Sequence, residues 1–358
     1  MRLHNFNAGP AAMPLSVLEK VQAELVELPA LGLSVMEMSH RSKDFDVFLD
    51  RAENGLRKLL GLSEDFEVLF LFGGASLQFS MAPMNLLQNG ARADYLVHGS
   101  WGVKALKEAQ KIGSARQAAS TQNEEFRRVP AQSEIDLDAD AKYVHFTSNE
   151  TIEGVQWPTE PQTGGVPLIC DASSDILSRP LDIQKYGLIY AGAQKNIGPS
   201  GVTVVIMRRD WIAENKDLPT MLSYATHARE RSLYNTPNTF GIYMIGLVCE
   251  WIEGLGGLEA MRNRAIQKSN SIYEAIDASD FYRGFAGKSS RSQMNVTFRL
   301  PSEELEAKFA RESQKMGMIG LKGHRSVGGL RASIYNALEP DSVRFLVDFM
   351  RDFERQNG

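Results

Sequence analysis

The chain has 358 residues, enough to bury a large core, and its length suggests two domains. Apolar residues make up 43% and charged residues 23%, the balance of a soluble globular protein, and a net charge of −5 argues against a nucleic-acid binder, which would normally be basic. The only cysteines, Cys170 and Cys249, sit in apolar stretches and give no disulfide framework; with no signal-peptide core and no apolar run near the ~20 residues of a membrane helix, a cytoplasmic chain with no membrane partner is expected.

Pro14 opens a helical pattern with Leu15, Leu18, Val21, Leu25 and Leu28 on one face, ended by Pro29. The loop Ser39-His40-Arg41-Ser42-Lys43 carries cations that either grip an anion or are simply solvated. A second helix follows, with Phe45, Phe48, Leu49, Ala52, Leu56, Leu59 and Leu60 inward and Gly61 as its stop. Glu67 to Phe72 reads as a buried strand, and Gly73-Gly74-Ala75-Ser76 turns into a helix starting near Leu77. A strand, a Gly-Gly turn and a helix N-terminus make an anion site, because free backbone N–H groups and the helix dipole face the same point. Neither a Walker loop nor a dinucleotide fingerprint is present.

Asp94 to His98 is another strand. Gly99-Ser100-Trp101-Gly102 leads from it into a helix, with Trp101 either stacked on an aromatic ligand ring or part of the core; His98 is assigned to the structure. Residues 114–142 are polar and irregular, with a short strand at most. Tyr143 to Thr147 is a strand whose exit loop, Ser148 to Gly154, presents the hydroxyl of Thr151. Pro167 to Asp171 is a short buried strand ending in an aspartate, where open α/β sheets place their ligands. Leu188 to Ala193 and Val202 to Met207 are strands joined by a turn that carries Lys195 among small residues. A desolvated lysine there can shed its proton and form a Schiff base. A lysine of that kind with an aspartate on a neighbouring strand end suits pyridoxal 5′-phosphate (PLP): Lys195 holds the aldehyde and Asp171 keeps the pyridine nitrogen protonated.

Arg208 to Asn215 reads as a short helix and 216–238 as a loop ending in Tyr234-Asn235-Thr236-Pro237. A long helix from Thr239 breaks at Gly254 to Gly257 and another runs from Leu258 to Ala278. Strand Gln293–Arg299, helix Ser302–Met316, strands Met318–Leu321 and Leu330–Ile334, and helix Asp341–Glu354 then form a compact α+β unit. The fold class is therefore α/β: a large domain, residues 13–256, with a mainly parallel wound sheet, and a small α+β C-terminal domain, residues 257–358 joined by residues 1–12.

Five blocks spread over the chain resemble the phosphoserine aminotransferases of the class V PLP-dependent aminotransferase group: Phe6-Asn7-Ala8-Gly9-Pro10-Ala11, Met38-Ser39-His40-Arg41-Ser42, Ile189 to Pro199 around Lys195, Tyr234-Asn235-Thr236-Pro237, and His324-Arg325-Ser326-Val327-Gly328-Gly329 with the preceding Gly323. The resemblance implies a fold type I PLP enzyme, with one PLP per subunit, no metal, and a homodimer that shares its active sites. It implies amino transfer between glutamate and 3-phosphohydroxypyruvate, giving phosphoserine and 2-oxoglutarate in serine biosynthesis; in some bacteria the same activity serves vitamin B6 synthesis through 4-phosphohydroxythreonine. It assigns Lys195 and Asp171 to catalysis and Trp101 to ring stacking. Thr151 meets a ring substituent, and Ala75, Ser76 and Gln194 hold the cofactor phosphate with Asn235 and Thr236 from the other subunit. Arg331 takes the substrate α-carboxylate; His40, Arg41, His324 and Arg325 take the substrate phosphate or glutamate's distal carboxylate. Some relatives carry an arginine where this chain has Ser76, so the grip on substrate phosphate must come from elsewhere.

Two other readings compete. A PLP lyase of the cysteine desulfurase kind needs a mobile reactive cysteine, which neither Cys170 nor Cys249 offers. A non-catalytic phosphate-binding protein would leave Lys195 as a plain surface residue.

Overall fold

The computed structural model describes residues 2–358. Its centre is a seven-stranded sheet built from β1 (Phe66–Leu71), β2 (Arg92–Val97), β3 (Ser114–Ser120), β4 (Tyr143–Thr147), β5 (Leu168–Asp171), β6 (Tyr186–Gly192) and β7 (Thr203–Arg208). The spatial order is β1-β7-β6-β5-β4-β2-β3. β7 runs antiparallel to both its neighbours, and the other adjacent pairs are parallel. Alternation along each strand feeds two cores: on β6, Ile189 and Ala191 enter one, Leu188 and Tyr190 the other.

The first core is covered by α2 (Lys43–Leu60) and α6 (Thr239–Gly254), which approach so closely that a Cβ on Gly55 would stand 2.6 Å from Cβ of Cys249. Helix α2 has its ends written in sequence. The Ser42 side chain accepts from Phe45 N, Asp44 and Asp46 sit in the first turn, Arg57 and Lys58 in the last, and Gly61 takes the left-handed conformation beyond it. The second core is covered by α3 (Gly74–Leu86) and α4 (Ser100–Ile112), through Phe79, Ala82, Ala105 and Ala109.

After α6 the chain bends by 80° into α7 (Gly257–Asp277). No single helix is long and apolar enough to cross a membrane among the described residues. A three-stranded antiparallel sheet follows, of Arg283–Gly284, Asn295–Arg299 and Leu330–Ser333, with α8 (Glu303–Lys315) and α9 (Pro340–Asn357). It closes on a separate core of Phe298, Phe309, Leu346, Met350 and Phe353, in which Phe6 from the chain's start is fully buried.

Several sequence expectations need correction. The first helix, α1, is Leu15–Glu24 rather than reaching Leu28; Val17 and Val21 are buried while Leu15 and Leu25 are exposed, so the apolar stripe is offset from the predicted one. Residues 114–142 hold the seven-residue strand β3, hidden in sequence because an edge strand half open to water lacks an apolar run. Arg208 to Asn215 contains only a tight turn at Arg209–Trp211, and the 216–238 loop contains α5 (Tyr224–Arg229), too short for a periodic signal. Met318–Ile319 pairs in parallel with His4–Asn5 rather than joining the small sheet.

Lys268 on α7 is almost wholly buried. Its Nζ donates to the carbonyls of Ile334, Tyr335 and Leu338 at 2.8, 2.6 and 3.0 Å, pinning the segment after the last strand of the small sheet. Burial drives its pKa down, while three carbonyl acceptors favour the ammonium form. Lys268→Met keeps the volume but orphans the three acceptors, so it is expected to cost ~3 kcal/mol. A melting midpoint unchanged by the substitution would show that water replaces the amine without loss.

Candidate active site

Because the parallel strands share one direction, their C-terminal ends line one edge of the sheet, and the loops leaving them converge there. A cavity of about 420 Å³ opens at this edge. Its walls carry Ala75 and Ser76 after β1, Trp101 after β2, Thr151 after β4, Asp171 at the end of β5, and Gln194 and Lys195 after β6. The small α+β unit adds His324 and Arg331, and the first residues add Ala8 and Gly9. Ala11 N donates to Gln194 O at 2.9 Å, so the N-terminal segment is tied over the lysine turn. Two larger grooves, of about 800 and 710 Å³, lie beside α7 and α8 but contain no group from the ends of β4, β5 or β6.

Lys195 is half-buried on the cavity wall, and its amine donates to Thr151 Oγ1 at 2.7 Å. Burial lowers its pKa to about 8; Asp171 pulls against that shift and Arg331 adds to it. Asp171 is pushed up by burial, and Ser173, whose amide donates to Oδ1 at 3.0 Å, and Lys195 both oppose the rise. Farther back, the buried Asp175 carboxylate accepts from Ser148 Oγ and from Gln156 Nε2. Trp101 turns its ring toward the amine, with Lys195 Nζ 5.8 Å from the ring centroid.

Helix α3 begins at Gly74 rather than near Leu77. Gly73 caps it with φ +85°, a conformation that side chains rarely adopt. The first helical hydrogen bond runs from Leu77 N to Gly73 O, leaving the amides of Gly74, Ala75 and Ser76 without an intrahelical acceptor. An anion in the cavity therefore meets three N–H groups and the positive end of the helix.

Arg331, on the last strand of the small sheet, reaches across to donate from Nη1 to Thr151 O at 3.1 Å; its Nε is buried with no partner. Trp101 Nε1 and Thr147 Oγ1 are likewise buried and unpartnered. Orphaned polar atoms of this kind around a concave site call for a polar ligand. The exit loop of β4 folds into a short hairpin, Asn149–Glu150 against Val155–Gln156. From it Glu150 and Glu153, both raised by burial above the ordinary carboxylate range, reach the N-terminus of α4. Neither residue stands out in the sequence, since a buried Glu is recognisable only from its donors.

The structure does not bring every predicted site residue to the cavity. Asn235 and Thr236 are exposed on the loop after α5, Arg41 is exposed, and His40 is half-buried with an unpartnered Nε2; none lines the cavity. His324 lies on the wall, but Arg325 faces the neighbouring groove beside α8. Both cysteines are buried, with thiol pKa values raised by burial, so neither is a mobile nucleophile. His98 is buried and receives Trp157 Nε1 at 3.3 Å, a structural role.

The sequence matches the family described as aminotransferase class-V over residues 3–346. A phosphoserine aminotransferase of Lysinibacillus sphaericus is 55% identical, covering 99% of both chains. The structure of phosphoserine aminotransferase from Bacillus circulans subsp. alkalophilus superposes with a TM-score of 0.98 at 55% identity, over 100% of this chain and 99% of that one. The PLP-bound phosphoserine aminotransferase of Trichomonas vaginalis gives 0.93 at 38% identity, over 98% and 100%. The chain belongs to the class-V aminotransferases and, within them, groups with the phosphoserine aminotransferases.

Proposed function

We propose that this protein transfers an amino group between glutamate and 3-phosphohydroxypyruvate, giving phosphoserine and 2-oxoglutarate, with one PLP bound per subunit in the cavity around Lys195. The observation that carries the reading is one cavity holding the Lys195 amine, the buried Asp171 carboxylate and three free helix amides. The residues fit the cofactor. Lys195 would supply the amine for its aldehyde, Asp171 would hold a proton on its ring nitrogen, and Trp101 would offer an aromatic face for its ring. Thr151 would donate or accept a hydrogen bond at a ring substituent, and Ala75, Ser76 and Gln194 would hold its phosphate. When bound, PLP supplies the electron sink that lets an amino acid lose its Cα proton.

The chain's own groups do the rest. Lys195 is the acid and base that moves the proton at substrate Cα. Thr151 orients its Nζ. Arg331 receives the substrate α-carboxylate, where a planar fork pairs two oxygens. His324 on the cavity wall, with Arg325 from the adjoining groove and with His40 and Arg41 brought in by the partner subunit, reads the phosphate or the distal carboxylate of glutamate. Ser76 offers no cation here, so these residues bear that task. Two subunits share each site, with Asn235 and Thr236 reaching the partner's cofactor phosphate. Val26, Met36 and Val47, which flank His40 and Arg41 along the chain, are exposed apolar residues of the kind a partner covers. Two buried free thiols suit a cytoplasmic location.

With a pKa of about 8, about a quarter of Lys195 is neutral at pH 7.5, against about a thousandth for an ordinary lysine. Competitive acetylation of the apoprotein, read by mass spectrometry, is expected to place the midpoint for Lys195 near 8. Asp171→Asn should lower that midpoint and Arg331→Met should raise it, since they remove an anion and a cation respectively. A midpoint above 10 in the parent protein would contradict the buried amine.

A transamination assay tests the substrate. Phosphohydroxypyruvate should outperform unphosphorylated keto acids. Arg325→Ala or Arg41→Ala should lower kcat/KM about ten- to a hundredfold for the phosphorylated substrate and much less for an uncharged one. Arg331→Met should lower it for both. Equal losses in Arg325→Ala for every keto acid would remove that residue from phosphate reading.

The shared site is checked by mixing two inactive variants, Lys195→Ala and the double variant Asn235→Ala/Thr236→Ala. Random re-pairing puts an intact lysine opposite an intact loop in about a quarter of all sites, so activity should return to about that share of the parent's. No recovery in mixtures shown by sedimentation to exchange subunits would place both elements in one chain's own site.

A further inference from the structure

Helix α4, which presents Trp101 to the cavity, has no side-chain cap of its own at Gly99. Its three free N-terminal amides are all taken by two glutamates from the β4 exit hairpin. Trp101 N donates to Glu150 Oε2 at 2.9 Å and Gly102 N to Glu150 Oε1 at 2.7 Å. Ser100 N and Oγ donate to Glu153 Oε1 at 3.0 and 2.5 Å. Glu150 is 0% exposed and Glu153 2%. Two carboxylates at a helix N-terminus are well placed against its dipole, but burying both is costly; three of their four oxygens accept from the helix end, and Glu153 Oε2 is buried without a partner.

The cost has left its mark on the neighbours. A Cβ at Gly99 would stand 2.3 Å from Cδ and Cγ of Glu150, and one at Gly102 would stand 3.3 Å from its Oε1. The glycines on either side of Trp101 are thus the space that the Glu150 carboxylate occupies. The residue that follows Glu150 in the hairpin is Thr151, with its hydroxyl on Lys195 and its carbonyl on Arg331. Fixing the hairpin to α4 therefore fixes four groups of the cavity relative to one another.

We infer that Glu150, with Glu153, is a positioning residue of the active site: it holds the Trp101 ring and Thr151 in the register that grips the cofactor ring, and it acts on the reaction only through them. The inference rests on the PLP reading above.

The test uses holoenzyme and full-length apoprotein. In the parent, borohydride reduction followed by mass spectrometry should place PLP on Lys195; if it does not, the PLP reading itself fails. With that control in hand, Glu150→Gln replaces one acceptor oxygen by an NH2 group that faces an N–H. It is expected to weaken PLP binding to the apoprotein about tenfold and to change the visible circular dichroism of the bound cofactor. In a Trp101→Leu/Thr151→Val background the same substitution should cost less than about threefold, because the two groups it positions are already gone. If Glu150→Gln does not melt cooperatively, Gly102→Ala replaces it, a milder push on the same carboxylate by a few tenths of an ångström, with the same dichroism change and a smaller loss of affinity expected. Unchanged affinity and dichroism in the variant that folds, or equal losses in the parent and the Trp101→Leu/Thr151→Val backgrounds, would overturn the inference and leave Glu150 as a helix cap alone.

Discussion

The arrangement at the sheet edge depends on partly desolvating one amine. Lys195 sits on a turn between two strands, which would ordinarily leave it solvated. Here the N-terminal segment is tied across it through Ala11 and Gln194, the β4 exit loop lies over it through Thr151, and the small unit closes from the far side through Arg331. Burial by itself favours the neutral amine. Asp171, Glu150 and Asp175 pull it back on, Arg331 pushes it off, and the balance falls near 8. An amine poised there is a nucleophile and a proton carrier within one side chain, which is what amino transfer requires.

That balance requires the two lobes to be rigidly joined, and the joint is polar. Asn149 Nδ2 donates to Ser174 Oγ and to Asn295 Oδ1, both at 2.8 Å, and its Oδ1 accepts from Ser292 Oγ at 2.6 Å. Asn295 continues to Ser333 and Tyr335, and Tyr335 Oη donates to Ala8 O at 2.8 Å. The β4 exit loop, the small sheet and the N-terminal segment are thereby linked by one buried network. Amide groups suit the task, since each both donates and accepts and none brings a charge that would disturb the lysine.

The larger features of this fold are local in sequence, and the finer ones are not. Helix α2 declares its ends through Ser42 and Gly61, and β4 and β5 declare themselves as apolar runs. Lys195, Asp171, Trp101 and the Gly73-Gly74 turn were legible because strand ends and small-residue turns have signatures. Strand β3 and helix α5 were not, one lying at an edge with polar exposure and the other running for only six residues. Glu150, Glu153 and Asn149 were invisible for a different reason. Each is a polar residue in an irregular loop, and its burial follows from the approach of α4 or the small sheet, which no local pattern encodes. The two glycines flanking Trp101 were the one trace of Glu150 in the sequence, and they read equally well as an ordinary turn.

The cations divide by depth in a way that bears on how two different substrates use one site. Arg331 is held inside by Thr151 O, with its own Nε unpartnered, so its fork is fixed before any substrate arrives. His324 lies on the cavity wall and also on the groove beside α8, while Arg325 belongs to the groove alone, on a loop whose turn needs Gly328 and Gly329 at φ +67°. On the proposed reading, the α-carboxylate common to glutamate and the phosphorylated keto acid meets the rigid cation. The distal groups, a carboxylate in one substrate and a phosphate in the other, differ in reach and charge and meet the outer ones. A fixed inner grip keeps the reacting carbon in register for Lys195, and a looser outer set lets one cavity serve both halves of the exchange.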